Sequence, residues 1–340
     1  MKQIKTVDAV GHVLCHDLTK IVKGVSKDAE FRKGHIVTAE DIPVLLSMGK
    51  ENLYVWEAEE GMLHENDAAE ILYQICAGEH MHPSEVKEGK IDVIADCSGL
   101  LLVDKERLLA VNSLDQVMIA TRHGGFTVKE GDKLAGTRVI PLVIPAEKMA
   151  QAKAIGGDIP LLKLLPFQSK KVAVLTTGNE VYQGLIQDTF TAVVVDKVNE
   201  FDAVVIETRT FPDAPDAITA GIKAAIQNGA EMVVCTGGMS VDPDDRTPLA
   251  IKNSGADIVS YGAPVLPGAM FLLAYYEGGI PVLGLPGCVM YSRRTIFDLI
   301  LPRLMANVII TAEDLAVLGH GGLCLGCEPC TYPNCGFGKG

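Results

Sequence analysis

The chain is 340 residues long, 48% hydrophobic, and carries a formal net charge of -13. The apolar content excludes a disordered chain, and the acidic balance excludes non-specific nucleic-acid binding, which needs a basic surface. The length allows two or three domains, and an anionic ligand would have to be held by backbone amides, a metal ion or local arginine and lysine.

The first residues, Met1-Lys2-Gln3-Ile4-Lys5-Thr6, contain no apolar signal region. The apolar stretch 262–287 is cut by Pro264, Pro267, Glu277, Pro281 and Pro286, so it does not read as a membrane helix. A cytoplasmic protein is expected. Nine cysteines are present. Cys15, Cys76, Cys97, Cys235 and Cys288 are scattered and read as ordinary buried thiols; the other four are clustered at the C-terminus.

Residues 1–57, continuing through 58–90, read as an N-terminal α+β region. A short strand and turn over 13–18 precede a helix that Thr38 is placed to cap, with Asp41 three residues on and Ile42, Leu45 and Leu46 on its apolar face. His16 and Asp17 read as turn residues before they read as ligands. A second amphipathic helix is expected over 66–78, capped by Asn66 and carrying Ala68, Ile71, Leu72 and Ile75 on one face. His80 and His82 have no third ligand nearby and read as loop residues. Residues 91–150 alternate short apolar runs with turns and predict a β-rich barrel or sandwich. The segment 155–160 reads as a hinge.

From residue 168 to 310 strands alternate with helices, which predicts an α/β domain with a parallel-dominated sheet between helical layers. A buried strand is expected over 172–175, and further strands over 203–206, 232–235, 257–260, 270–274 and 281–285. One helix is expected over 188–200. Another follows Asp213 as cap, with Pro215 in its first turn and Ile218, Ile222 and Ile226 on one face. Pro302 falls inside a last helix.

Ligands of open α/β sheets bind beyond the carboxyl ends of the strands. Three such ends carry polar and glycine-rich turns: 176–180, 236–245 and 285–287 with Ser292 and Arg293 behind. The stretch 236–248 is the most suggestive. Gly237 and Gly238 allow a sharp turn that bares amides for an anion, Asp242, Asp244 and Asp245 crowd the loop, and Asp244 or Asp245 is placed to cap the helix beginning near Arg246. Phosphate-binding amides beside carboxylates point to a bridging Mg²⁺. Taken singly, the same residues also describe a polar loop before a capped helix.

Together these corners resemble the molybdopterin-binding domain family. Thr177-Gly178-Asn179-Glu180-Val181 is similar to that family's T-G-D-E-L segment, and Thr236-Gly237-Gly238-Met239-Ser240-Val241 to its T-G-G-V-S-V-G. Leu266-Pro267-Gly268-Ala269 is similar to its K-P-G-K, and Gly284-Leu285-Pro286-Gly287-Cys288 to its G-L-P-G-N-P. Residues 31–42 and 45–49 resemble the segment upstream of this domain in the MoeA-type molybdopterin molybdenumtransferases. The resemblance implies a three-layer molybdopterin-binding fold and a role in molybdenum cofactor biosynthesis, in which molybdate is inserted into an adenylylated pterin with Mg²⁺ and release of AMP. It implies Glu180, Asp244 and Asp245 as catalytic carboxylates, the two aspartates as Mg²⁺ ligands with Asp242 beside them, and Thr177, Gly178, Asn179, Thr236, Gly237, Gly238, Ser240, Pro286, Gly287, Ser292 and Arg293 around the pterin and its phosphate. A homo-oligomer is the expectation from relatives.

The chain departs from the pattern at Asn179, which replaces an acid, and at Leu266 and Ala269, which replace both lysines of K-P-G-K. The missing lysines favour a pterin carrier or sensor serving a molybdoenzyme, and the retained Glu180 and aspartates favour a transferase. The Asp244-Asp245-Arg246-Thr247 ending also resembles the competence-damage-type branch, whose members cleave nucleotide pyrophosphates. Finally, residues 311–340 form a tail with Cys324, Cys327, Cys330 and Cys335. Four thiols at such close spacing predict a zinc or iron–sulfur site.

Overall fold

The computed structural model describes residues 2–22, 26–55, 61–240, 242 and 245–340. Two units separate along the chain. One comprises Met1–Asp96, Val103–Arg122 and Glu130–Lys163; the other comprises Cys97–Leu102, His123–Lys129 and Leu164–Gly340.

In the first unit, Lys2–Lys5 pairs antiparallel with Asn52–Val55, and Leu18–Val22 with Ser26–Phe31. Helix Asp41–Ser47 turns Leu45 into a small core with Leu14 and Leu53. Its cap is Glu40, without a side-chain bond; the Thr38–Asp41 pair works in one direction only, the Asp41 carboxylate accepting from the Thr38 amide at 2.8 Å. Helix Glu65–Cys76 begins one residue earlier than its sequence suggests. His64, not Asn66, caps it through Nδ1, while the Asn66 side chain accepts from the Gly89 amide. An open antiparallel sheet follows, in the order Met81–Pro83, Lys90–Ala95, Lys133–Val139, Val117–Thr121. This sheet does not close into a barrel, and two short strands of the same β-rich stretch, Gly99–Val103 and Phe126–Val128, lie almost wholly in the second unit, where they pair antiparallel with each other. Helix Lys105–Asn112, which the sequence patterning did not announce, starts at Asp104, whose carboxylate accepts from the Arg107 amide at 2.9 Å. His82 pairs with Asp96, and Asp17 accepts from the Lys33 amide, so both serve local structure.

The second unit holds a six-stranded sheet. Its strands, in chain order, are β1 Lys171–Thr177, β2 Val204–Phe211, β3 Met232–Thr236, β4 Asp257–Tyr261, β5 Leu272–Tyr276 and β6 Ile280–Leu285. The helices whose residues pack on its two faces are α1 Phe190–Asn199, α2 Pro215–Gln227, α3 Thr247–Asn253 and α4 Ile296–Met305. The sheet order is β2-β1-β3-β6-β5-β4; the first four strands are parallel, and β5 alone runs antiparallel to its neighbours β6 and β4.

The period-two alternation of a strand explains the layers. Val172, Val174, Val234 and Leu283 face one way and pack with Val194 and Val198 of α1 and Phe297 and Ile300 of α4. Ala173, Leu175, Val233 and Val282 face the other way and pack with Ile218 and Ile222 of α2 and Ala250 and Ile251 of α3. Both faces of β1 and β3 are buried, which is why they read as unbroken apolar runs. Among the described residues no helix is long and apolar enough to cross a membrane.

Candidate functional site at the carboxyl edge of the sheet

Strand order reverses between β1 and β3: the chain leaves β1 toward β2 on one side and returns to β3 on the other. This is the switch point at which open α/β sheets bind ligands. The register places Thr176 beside Thr236 and Thr236 beside Leu285, so the turns after β1, β3 and β6 emerge side by side. Because Tyr261 pairs with Leu272 and Leu272 with Gly284, the loop 262–271 between β4 and β5 opens on the same edge.

The Gly237-Gly238 turn is held from below. Thr247 donates to the Gly237 carbonyl at 2.9 Å, so the proton between Thr177 and Thr247, 3.0 Å apart, comes from Thr177. The Thr247 amide donates to the Gly238 carbonyl at 3.2 Å. Gly237 and Gly238 have φ of +82° and +56°. A Cβ on Gly237 would lie 2.1 Å from the Thr177 carbonyl oxygen. No side chain fits there, and the turn presents backbone alone. Among the described residues the amides of Gly237, Gly238, Met239 and Ser240 donate to no protein acceptor. A row of free amides in such a turn is an anion-binding concavity. Tyr261 donates its hydroxyl to the Met239 carbonyl at 3.0 Å and ties this loop to β4.

A second hydroxyl chain runs under the edge. Thr236 donates to Thr176 at 3.1 Å, Thr176 stands 2.8 Å from Thr191, and Thr191 donates to Asp188 at 2.6 Å. Asp188, one residue before the cap Thr189, also accepts from the amides of Phe190 and Thr191 and so satisfies the first turn of α1. Burial pushes the Asp188 carboxyl up, but the bonds from Thr191, Thr176 and the Phe190 amide together outweigh it and hold it below the ordinary carboxylate value. Its contribution to stability is therefore full above the unfolded carboxylate value and is lost as pH falls through the folded one. Asp188→Ala should unfold more easily than wild type by about 0.5–2 kcal/mol at neutral pH. In urea titrations that gap should narrow below about pH 4; a gap that stays constant into acid would show that the ionised carboxylate contributes nothing.

Thr177, Gly178, Asn179, Glu180, Thr236, Gly237, Gly238, Ser240, Asp242, Asp245, Pro286 and Gly287 all lie on this one edge. Glu180 is exposed in a single helical turn, Asn179–Tyr182. Asn179 and Asp213 exchange bonds, Asn179 N to the Asp213 carboxylate at 2.9 Å and Asp213 N to the Asn179 side chain at 3.2 Å. Asp213 therefore does not cap α2, whose cap is Ala214. The acidic loop also differs from its sequence reading. The cap of α3 is Arg246, with no side-chain bond, and Asp245 instead accepts from the Asp242 amide at 3.2 Å. Asp244 lies outside the described residues.

Ser292 and Arg293 follow β6, but Arg293 pairs with Glu328 of the tail at 2.9 Å. Among the described residues no group of three or more His, Cys, Asp or Glu is placed to hold a metal ion, either in the acidic loop or in the tail. Sequence reasoning placed Thr176 and Thr247 in the flagged turns and a helix start at Asp188 without a role for any of the three, and it missed Thr191 and Tyr261. The Asp-x-x-Thr start before an apolar run could have pointed to Thr191; nothing in the sequence marks Tyr261.

Residues 173–306 match the family model described as "Probable molybdopterin binding domain". The chain thus contains a domain that matches the molybdopterin-binding family. Residues 3–57 match a second model, a domain of unknown function, DUF8806. A CinA-like protein of Fervidobacterium nodosum is 35% identical over 85 residues, 25% of this chain and 21% of that protein. A molybdopterin molybdenumtransferase of Synechococcus elongatus is 24% identical over 218 residues, 60% of this chain and 51% of that protein. The chain thus spans about half or less of the length of these curated relatives. The solved structure of the molybdopterin biosynthesis enzyme MoaB from Thermus thermophilus superposes with a TM-score of 0.34 at 20% identity, covering 41% of this chain and 97% of that one. Within the molybdopterin-binding domain, the glycine turn after β3 and the turn after β6 fall inside the matched residues, and the cysteine tail falls outside them.

Proposed function

We propose that the carboxyl edge of the sheet binds molybdopterin, in its adenylylated form, and that the protein acts in molybdenum cofactor biosynthesis by inserting molybdate in a Mg²⁺-dependent reaction. The observation that carries this reading is the alignment of Thr176, Thr236 and Leu285 at the switch point, which sets the amides of the Gly237-Gly238 turn beside the acidic loop. In this reading the amides of Gly237 to Ser240 hold the phosphate. Pro286 and Gly287 floor the pterin site, and Thr177, Gly178 and Asn179 wall it. Asp242, Asp245 and Asp244 offer the hard oxygen donors that Mg²⁺ prefers. Mg²⁺ typically takes one or two carboxylates and completes its shell with water and substrate phosphate, so a loop without a three-ligand cage still suits it. When bound, the ion would neutralise phosphate charge; Glu180, exposed on the same edge, is the carboxylate placed to handle a proton. A homo-oligomer and a molybdoenzyme client belong to this proposal.

One observation favours a carrier without turnover. The loop Leu266-Pro267-Gly268-Ala269 stands where the family's lysines would meet an oxyanion, and it is clasped by the tail: the Leu266 amide donates to the Gly322 carbonyl and the Cys324 amide to the Leu266 carbonyl, both at 2.8 Å. The resemblance of Asp244 to Thr247 to the competence-damage-type branch keeps nucleotide pyrophosphate cleavage as the enzymatic rival. Incubation with adenylylated molybdopterin, molybdate and Mg²⁺ separates the three. AMP release with cofactor formation supports the transferase, retention of the pterin without AMP supports the carrier, and AMP release from ADP-ribose supports the pyrophosphatase. If AMP is released, Glu180→Ala and Asp245→Ala should each slow it by about a hundredfold. Full activity in both would place the chemistry elsewhere.

A further inference from the structure

We infer that Cys324, Cys327, Cys330 and Cys335 form a four-thiolate centre for a thiophilic metal, either Zn²⁺ or iron with sulfide, and that this centre clamps the C-terminal tail against the margin of the ligand edge. The inference is independent of the pterin reading.

All four cysteines line one cavity of about 200 Å³, which they share with Arg294, Tyr332 and Phe337. None is in a disulfide. The loop that carries them contains no helix or strand from residue 324 to 340. Its ends are nonetheless fixed. Cys324 bonds through its amide to Leu266, and Gly338 donates to the Gly321 carbonyl at 2.9 Å, closing the loop on itself. Tyr332 donates to the Asp298 carbonyl at 3.1 Å, and Phe337 is 3% exposed within the core. As they stand the four sulfurs do not form a ligand set; loading would draw the irregular middle in between its fixed ends. A loop without regular structure also gains most from such a staple.

The chemistry of the donors selects the metal. Four thiolates favour Zn²⁺ or iron–sulfur clusters over Mg²⁺ or Ca²⁺. Each cysteine must lose its proton to bind, so loading releases protons and weakens in acid. Four thiolates with a divalent ion leave a net negative centre, and Arg294 lines the cavity with its guanidinium 4.8 Å above the Tyr332 ring. A neighbouring groove of about 280 Å³ is lined by Cys327 and Cys330 together with Pro267, Ser292 and Arg293. The metal loop therefore borders two of the loops that follow the sheet's carboxyl edge, and Glu328 between the cysteines holds Arg293.

The test is metal analysis of the full chain purified anaerobically, then stripped with chelator and reloaded with Zn²⁺ alone or with Fe²⁺ and sulfide. Stoichiometric zinc, or iron with matching sulfide and visible charge-transfer absorption, supports the centre; which of the two loads tells the metal. In Cys327→Ser/Cys330→Ser, binding should weaken by at least about tenfold, while Cys97→Ser should bind as wild type. Reactivity with a thiol reagent reads the same site without loading: the tail thiols of wild type should be protected by metal and exposed by chelator. No metal retained in either reloading, or equal retention in the double variant with the far-ultraviolet spectrum unchanged, overturns the inference.

Discussion

Gly237→Ala is expected to lose both stability and pterin binding. The turn has φ of +82° at this position, and a Cβ would stand 2.1 Å from the Thr177 carbonyl oxygen and 2.9 Å from its hydroxyl. Left-handed backbone alone costs a non-glycine residue about 1 kcal/mol or more. The clash cannot be relieved by a flexible side chain, because the nearest atom is backbone of β1. Thr177 would have to move, and with it the Thr177–Thr247–Gly237 bonds that set the turn. A loss on the order of 2–4 kcal/mol in urea denaturation is expected. The comparison is Gly287→Ala on the same edge, where nothing lies within 4 Å of the added carbon. That variant should keep its stability while any loss of ligand affinity reports contact with the pterin. Equal stability of Gly237→Ala and wild type would mean that the close approach of the β1 and β3 turns is not as drawn.

The contrast between these two glycines shows what the sequence could carry. Both stand in motifs of the family, and both are candidates for backbone near a ligand. Only the structure separates a glycine required by packing from one left open to solvent. The parallel sheet was legible because strands buried on both faces leave unbroken apolar runs, as in 172–175 and 232–235. The switch point followed from the same alternation of strands and helices. Caps were read less well, because Asp, Asn and Thr near a helix start have several partners to choose from. Asp213 bonds Asn179 instead of α2, His64 takes the place of Asn66, and Asp245 folds back on its own loop. His64 and Asp245 settle on partners within three residues, among several local competitors, whereas Asp213 is claimed by Asn179, a tertiary neighbour that local sequence does not contain. The hydroxyl chain from Thr236 to Asp188 was hidden for the same reason, since it joins two strands and a helix.

Asp298→Ala should be the most destabilising single change outside the glycine turn. Asp298 sits in the first turn of α4 with its side chain 4% exposed. One carboxylate oxygen accepts from Lys197 of α1 at 2.6 Å and from Arg294 at 2.8 Å. The other accepts from the Thr295 amide at 2.8 Å and completes the capping box of α4. Lys197 is itself 12% exposed, so removing the carboxylate strands a buried ammonium and a half-buried guanidinium. Breaking one partner out of a buried pair costs about 3–5 kcal/mol, most of it the uncompensated charge left behind. Replacing Lys197 as well should recover a large part of that loss: Asp298→Ala/Lys197→Met ought to be more stable than Asp298→Ala alone, a coupling of opposite sign to simple addition. Denaturant titration of the four chains measures it. A single-variant loss below about 1 kcal/mol would mean that water reaches Lys197 and that the pair behaves as a surface one. The junction also joins α1, whose first turn ends the hydroxyl chain under the ligand edge, to Tyr332 of the cysteine loop. Tyr332 bonds the backbone carbonyl of Asp298, which Asp298→Ala keeps, so metal loading of that variant should match wild type; weaker loading would show that the tail is anchored through the ion pair.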